Sequence, residues 1–450
     1  MKASSELRKA SGASAAMTGF GEASKNDIRR ENMRFIQAAK VLREATGLVR
    51  GPQRVVPLIK KLVSDKIRVS CEQRHLYSYA RAKHASGDVL RCLLRWILGA
   101  QQSNGGIAAY YSLLTGYSQS YPEVTGYLVP TLYDFAREAD DDHALRAAER
   151  ATQWLLSLQM PTGAFPGGLE GKQGPPSVFN TGQILHGLVR AHRETNCAEI
   201  GRAAFAAGNW LVEMQQRDGS WSGRGAYQDS PHSYYSMVSW ALAELSERTE
   251  DDRCGRAAER NLDWVLSYFE SSGWIEGINL RGHPSYLHFV AYALQGLLEC
   301  AILRGRAAPI EKAAKSAWVL LRKFETAKFL PGAHERDFKN VHSFTCLTGN
   351  AQMSCVWLRL YEVTRDLRYL NAALKMNEML KGLISLSGVQ GIAGGVSGSH
   401  PVWGIYQPLR YPSWGCKFLA DALLTEARLT RAFERSTFET AAFEVEPCAS

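Results

Sequence analysis

From residue 86 to residue 432 the chain repeats one order of polarity. An amphipathic stretch with charges on one side ends in a tryptophan. A polar turn carrying Gln and Gly follows, then a polar and aromatic segment, then a stretch that is apolar on most faces. The clearest copy is residues 209–221, with Trp210, Gln215, Gln216, Asp218, Gly219 and Trp221. Degraded copies are anchored at Trp96, Trp154, Trp264, Trp318 and Leu380, so the six anchors lie 58, 56, 54, 54 and 62 residues apart. Each copy reads as a helix pair that needs neighbouring pairs to bury its apolar faces, and six pairs close a double ring. The expected fold is all-α, an (α/α)6 toroid of six helical hairpins with an N-terminal helical extension.

The outer helices carry charge on one face, as at Arg146, Glu149 and Arg150 or Arg256, Glu259 and Arg260. Inner helices are expected over residues 124–136, 181–192, 234–244, 286–300, 350–361 and 414–425. Residues 1–26, rich in Ser, Ala and Gly, read as a flexible N-terminus. Residues 27–85 form a basic helical extension with Arg29, Arg30, Lys40, Arg43, Lys60 and Lys61, broken at Gly51 and Pro52. That extension fits either a segment packed across the toroid or a peripheral contact with an anionic membrane. The toroid is assigned to 86–432 and a C-terminal tail to 433–450.

A repeat of this kind changes what length implies, because 450 residues then form one large toroid instead of two or three domains. No apolar run is long enough to span a membrane, and the N-terminus lacks the pattern of a signal peptide. Nine cysteines, odd in number and scattered without a CxxC pair, point to reduced thiols and a cytoplasmic location. The net charge of +9 fits a solvated surface or an acidic polymer partner. No nucleic-acid-binding motif accompanies it, so no nucleic acid partner is expected. The acidic run Glu138, Asp140, Asp141 and Asp142 invites comparison with the acid motif of terpene cyclases. Its counterparts Glu250, Asp251 and Asp252, and Asp366, sit at the same place in their repeats, where acids cap helices.

The segments leading into the inner helices open at one end of such a ring, and all six carry polar and aromatic residues. Candidate acids and bases are His232, Tyr234, Tyr235, Tyr286 and His288. Candidate substrate-binding residues are Glu123, Tyr127, Asn180, Gln183, Arg281, Asn350, Gln352, Trp403, Arg410 and Trp414. Aromatic faces cover sugar C–H groups while amides bond hydroxyls, so the mouth suits a carbohydrate. Amides and Arg that neutralise a carboxylate, beside a Tyr or His that takes a proton, fit proton abstraction at C5 of a uronate. The outcome is epimerisation or β-elimination on an acidic glycan. Two alternatives stand beside it. One is a glycoside hydrolase pairing Glu123 with Asp229, Glu276 or Glu335; the other is a non-catalytic glycan-binding or assembly protein. His283, His288, His342 and Cys346 match no zinc spacing, and neither metal nor cofactor is expected.

Residues 209–221 resemble the QW motif of squalene-cyclase and prenyltransferase-like toroids, with weaker copies over most of 88–400. Residues 120–127, 177–191 and 403–423 look like bacterial toroid proteins of surface-polysaccharide gene clusters. The second of these, with Gly182, Gln183 and Arg190, is also similar to an inner helix in the C-terminal domain of glucuronyl C5-epimerases. These resemblances imply the toroid and a site at its mouth.

Overall fold

The computed structural model describes residues 59, 61–65, 84–172, 174–281, 283–327, 329–340 and 344–443, with side chains as far as 433. The expected flexible N-terminus, most of the basic extension, the end of the tail and His342 lie outside these residues.

Six hairpins follow one another: α1 (Ser86–Ala100) with α2 (Pro122–Ala139), α3 (Asp142–Leu158) with α4 (Val178–Thr195), and α5 (Ala198–Met214) with α6 (Ser236–Ser246). They continue as α7 (Arg253–Leu266) with α8 (Leu287–Leu303), α9 (Ala307–Ala327) with α10 (Leu347–Thr364), and α11 (Leu367–Leu383) with α12 (Ser413–Phe443). The even-numbered helices touch in sequence from α2 to α12, and α12 returns to α2. This is the expected (α/α)6 toroid. Its last helix runs past residue 432, where the toroid was expected to end.

The repeated turn explains how the outer ring is built. Gln215 Nε2 donates both to Gly219 O in its own turn (3.1 Å) and to Ala257 O in α7, the next outer helix (2.8 Å). Gln159 does the same to Gly163 O and to Ala203 O in α5 (3.0 and 2.8 Å), and Gln101 to Gly105 O and to Ala147 O in α3 (both 2.9 Å). One amide therefore closes a turn and ties two repeats together. The turn brings the chain so close to its neighbour that a Cβ on Gly219, at φ 91°, would lie 2.3 Å from Arg260 O. In the fourth repeat Phe269 stands at the Gln position, and Ser316 Oγ of α9 donates to Gly273 O instead (2.5 Å).

The acidic segments cap helices as expected: Asp141 accepts from His143 N and Ala144 N, and Asp366 from Arg368 N. Short strands are the part an all-α expectation omits. The mouth segments have backbone groups that no helix satisfies, and they pair with one another. The strand β1 (Tyr110–Ser112) pairs antiparallel with β2 (Gly116–Tyr117). In the second sheet β3 (Ser285–Tyr286) pairs with β4 (Ala333–Glu335), which pairs with β5 (Lys339–Asn340). A third joins β6 (Thr345–Cys346) to β7 (Ser399–His400). Finally β8 (Arg410–Pro412) pairs with β1, setting Tyr111 against Tyr411, and Trp96 Nε1 donates to Gly391 O (2.9 Å), so the sixth repeat is bonded to the first. From the extension, the buried Asp65 accepts from Val402 N (2.8 Å) and pairs with Lys61 (2.6 Å).

Replacing Gln215 with Ala removes one bond to each of two carbonyls, Gly219 O keeping its bond from Asn261 Nδ2 (2.9 Å), and is expected to cost about 1–2 kcal/mol. Gly219→Ala, which also forces a backbone shift, is expected to cost more. The unfolding midpoints of the two variants in urea check this order, and a Gln215→Ala midpoint equal to that of the parent would contradict the bracing role.

Candidate functional site

Across the bore, rings from four inner helices meet. Phe179 of α4 lies 5.5 Å from Tyr292 of α8, Tyr292 5.7 Å from Phe418 of α12, and Phe418 6.2 Å from Tyr127 of α2. These rings floor the space below the mouth segments. Two ionisable groups with displaced titration flank them.

The first is His288, at the start of α8. Its Nδ1 bonds Gln352 Oε1 (3.0 Å), and Gln352 Nε2 donates in turn to Gln295 Oε1 (2.9 Å). Because Gln352 presents its oxygen, His288 carries its proton on Nδ1 and keeps the Nε2 lone pair free. Burial pulls its pKa down to about 3, with the Gln352 bond opposing the shift. Its ring lies 4.1 Å from Tyr292 and 5.8 Å from Tyr406.

The second is Glu123, in the first turn of α2. Burial lifts its carboxyl to about 7, although the hydrogen bond from Tyr121 Oη (2.6 Å) pulls the other way. Tyr292 and Tyr406 are raised well above the ordinary phenol range, chiefly by burial, and the Glu123 charge adds to both shifts. The same two tyrosines thus face Glu123 and His288. Tyr406 reaches the site from the loop between β7 and β8, and Trp414 Nε1 donates to its hydroxyl (2.8 Å). Lys417, a cation over the Phe418 ring of this floor, is paired with Asp421 (2.6 Å).

The structure distributes the sequence-derived candidates over several roles. His288, Glu123 and Tyr127 are at the floor. The Gln183 amide is fully buried on the neighbouring helix, with neither its oxygen nor its nitrogen hydrogen-bonded. Gln352 orients His288. Tyr286 packs on Tyr406 (5.3 Å) and Phe289, and Tyr234 on Phe289 (5.3 Å), so both build the wall. Asn180 donates to Pro166 O (3.2 Å) beside Tyr121.

Three of the expected residues are taken up by bonds within the protein. Asn350 is fully engaged in its own loop, accepting from Leu330 N and donating to Thr345 Oγ1 and Cys346 O, so it has no bond to give a substrate. His232 and Tyr235, expected as acid or base, are braces. His232 Nε2 donates to Tyr227 O (2.9 Å), and Tyr235 Oη accepts from Tyr227 N (2.7 Å), so together they hold one rim loop. Arg281 is on the same rim and exposed, donating to Ser230 Oγ (3.2 Å). Arg410 lies over Tyr110 (4.3 Å) and bonds Gln407, and Trp403 is buried in the loop that carries Tyr406. Asp229, Glu276 and Glu335, the proposed second acids, are exposed on mouth segments. Among the described residues no group of three or more His, Cys, Asp or Glu could hold a metal ion, and no helix is long and apolar enough to cross a membrane.

The family model of the squalene-hopene cyclase C-terminal domain matches residues 69–295, half of the chain. The chain belongs to that family. No curated protein sequence matches it. Solved structures share the toroid of this squalene-hopene cyclase C-terminal family member at low identity. A cellobiose 2-epimerase from Spirochaeta thermophila is 14% identical with a TM-score of 0.62, covering 76% of this chain and 96% of its own. An unsaturated glucuronyl hydrolase from Bacillus sp. GL1 is 15% identical with a TM-score of 0.59, covering 74% and 96%. A D-mannose isomerase is 10% identical with a TM-score of 0.60, covering 76% and 97%. At these identities the likeness is one of fold.

His288 is expected to stay neutral from pH 5 to 8, with its proton on Nδ1, as read from imidazole nitrogen shifts by NMR. Its folded pKa is depressed, so its contribution to stability is complete above the unfolded value of about 6.5 and is lost as pH falls towards 3. A histidine shift that titrates near 6.5 and disappears in His288→Ala would contradict the buried network.

Proposed function

We propose that the protein is a carbohydrate-active enzyme that moves a proton at a sugar carbon next to a carbonyl or carboxyl group, as an epimerase or isomerase does. The observation that carries this reading is the pairing of His288 and Glu123 across Tyr292 and Tyr406. His288 Nε2 carries the lone pair that takes the proton, and burial, which lowers its pKa to about 3, makes it a weak base in the free protein. Glu123, with its pKa about 7, holds a proton to give to the sugar oxygen or to the opposite face of the carbon. The phenols and Trp414 line the space where a sugar ring would sit.

Within this class, the floor fits C2 of a reducing-end aldose better than C5 of a uronate. A uronate carboxylate needs a cation beside it as its α-carbon loses a proton, and Lys417 is already paired with Asp421. The structures of the same fold include a cellobiose 2-epimerase and a D-mannose isomerase as well as an unsaturated glucuronyl hydrolase, so the preference rests on the floor's charges. Hydrolysis by two carboxylates is disfavoured because Asp229, Glu276 and Glu335 are on exposed segments while Glu123 is at the floor.

Incubation with aldoses, reducing disaccharides and uronate oligosaccharides in deuterated water tests the reading, with NMR locating any label. Deuterium at C2 is the expected result; label at C5 would move the chemistry to a uronate, and new reducing ends without label would replace proton transfer by hydrolysis. His288→Ala and Glu123→Gln are each expected to slow exchange by about 10²–10⁴-fold. The rate is expected to be level at mildly acidic pH and to fall as pH rises through about 7, where Glu123 loses its proton, and Glu123→Gln should abolish that fall.

A further inference from the structure

The rim loop held by His232 and Tyr235 presents Tyr227, which is 54% exposed although its backbone is bonded on both sides to buried side chains. The loop bends sharply there, since the two residues after Tyr227, Gln228 and Asp229, both have positive φ (54° and 52°). The arrangement spends two buried side chains on holding one exposed ring in place. Arg281 is fixed to the same loop at two points: its backbone N donates to Gln228 Oε1 (2.9 Å) and its guanidinium to Ser230 Oγ (3.2 Å).

A line of rings runs inward from this platform. Tyr227 is 6.4 Å from His232, His232 4.9 Å from Tyr234, and Tyr234 5.3 Å from the half-buried Phe289, which abuts His288 at 5.8 Å. His232 and Tyr234 are buried within this line and pack on one another, so the line is the wall that ties the exposed Tyr227 to the floor. The rings from Phe179 to Tyr127, two of their three contacts edge-on, lie across the floor, so on this reading a glycan meets His288 with its end and the remainder of the chain leaves past the rim.

We propose that Tyr227 and Arg281 form an outer subsite for an anionic sugar unit of a glycan whose chain end occupies the floor, Tyr227 stacking on the ring and Arg281 pairing with its carboxylate or sulfate. This rests on the reading of the floor as a sugar site. It gives an acidic glycan a place that the paired Lys417 does not offer at the floor. On the same loop the exposed Asp229 opposes an anion and the exposed Arg224 favours one, so the charge preference is tested at Arg281 itself.

The test is calorimetric binding of two series from mono- to tetrasaccharide, one of β-linked glucose and one in which glucuronate alternates with a neutral sugar. The affinity of the parent protein is expected to rise with chain length by about tenfold or more, and more steeply in the anionic series. Tyr227→Ala is expected to bring oligosaccharide affinity down to that of the monosaccharide, while Tyr227→Phe, which keeps the ring, retains the gain. Arg281→Gln is expected to erase the preference for the anionic series. Affinity that does not grow with chain length, growth that survives Tyr227→Ala, or an anionic preference that survives Arg281→Gln would each overturn the proposal. If the rim behaves as expected while the parent protein shows no deuterium exchange, the subsite stands and the catalytic reading fails. The reverse pair of results separates the two in the other direction.

Discussion

A side-chain amide in each of the first three repeats sets how the outer ring is built. In three successive turns a glutamine donates to the glycine carbonyl of its own turn and to a carbonyl in the next outer helix. The first bond fixes where the outer helix stops, and the second fixes how far away the next one lies. The outer ring is therefore held by polar, directional contacts, and the inner ring by apolar packing of helices with few exposed faces. Where the bonds recur at equivalent positions, the mouth segments leave their turns in a similar direction.

That division of labour also accounts for the electrostatics of the floor. Side chains delivered there are surrounded by rings and by the backbones of six helices, so desolvation is the leading cause of every large displacement among them. It acts in opposite senses on the two groups that matter, favouring neutral imidazole at His288 and neutral carboxyl at Glu123. An acid and a base that are both uncharged near neutrality can coexist without an ion pair forming between them.

The toroid was legible in the sequence because Trp, Gln and Gly recur at a nearly constant interval, and the acidic caps because the same acids recur at the same phase. The gathering of the polar and aromatic mouth segments was legible from the same phase. The roles of individual residues did not, since they depend on which partner each side chain finds. Asn350 and Gln352 are two residues apart and similar in character, yet one anchors a loop and the other orients His288. His232 and Tyr235 look like chemistry in the sequence and are spent on a backbone. Tyr292 was missed although it lies one helical turn after His288, a spacing that puts both on one face. Tyr121, two residues before Glu123, and Tyr406, inside the segment that contains Trp403, escaped for a different reason. Their part is to modulate a neighbour, and nothing in their own spacing marks it.

The bonding of the last repeat to the first, through β1 with β8 and through Trp96 with Gly391, distinguishes this architecture from an open stack of helical pairs. An open stack can grow or shrink by one unit and keep its geometry, because each unit answers only to its neighbours. Here the circumference is closed, so gaining or losing a unit would change the curvature demanded of all the others. Variation in length is cheap only in the segments between turn and inner helix, which stand outside both rings. Inheritance of this fold thus confines novelty to the rim, where new ligands are met, and leaves the hoop beneath it at six.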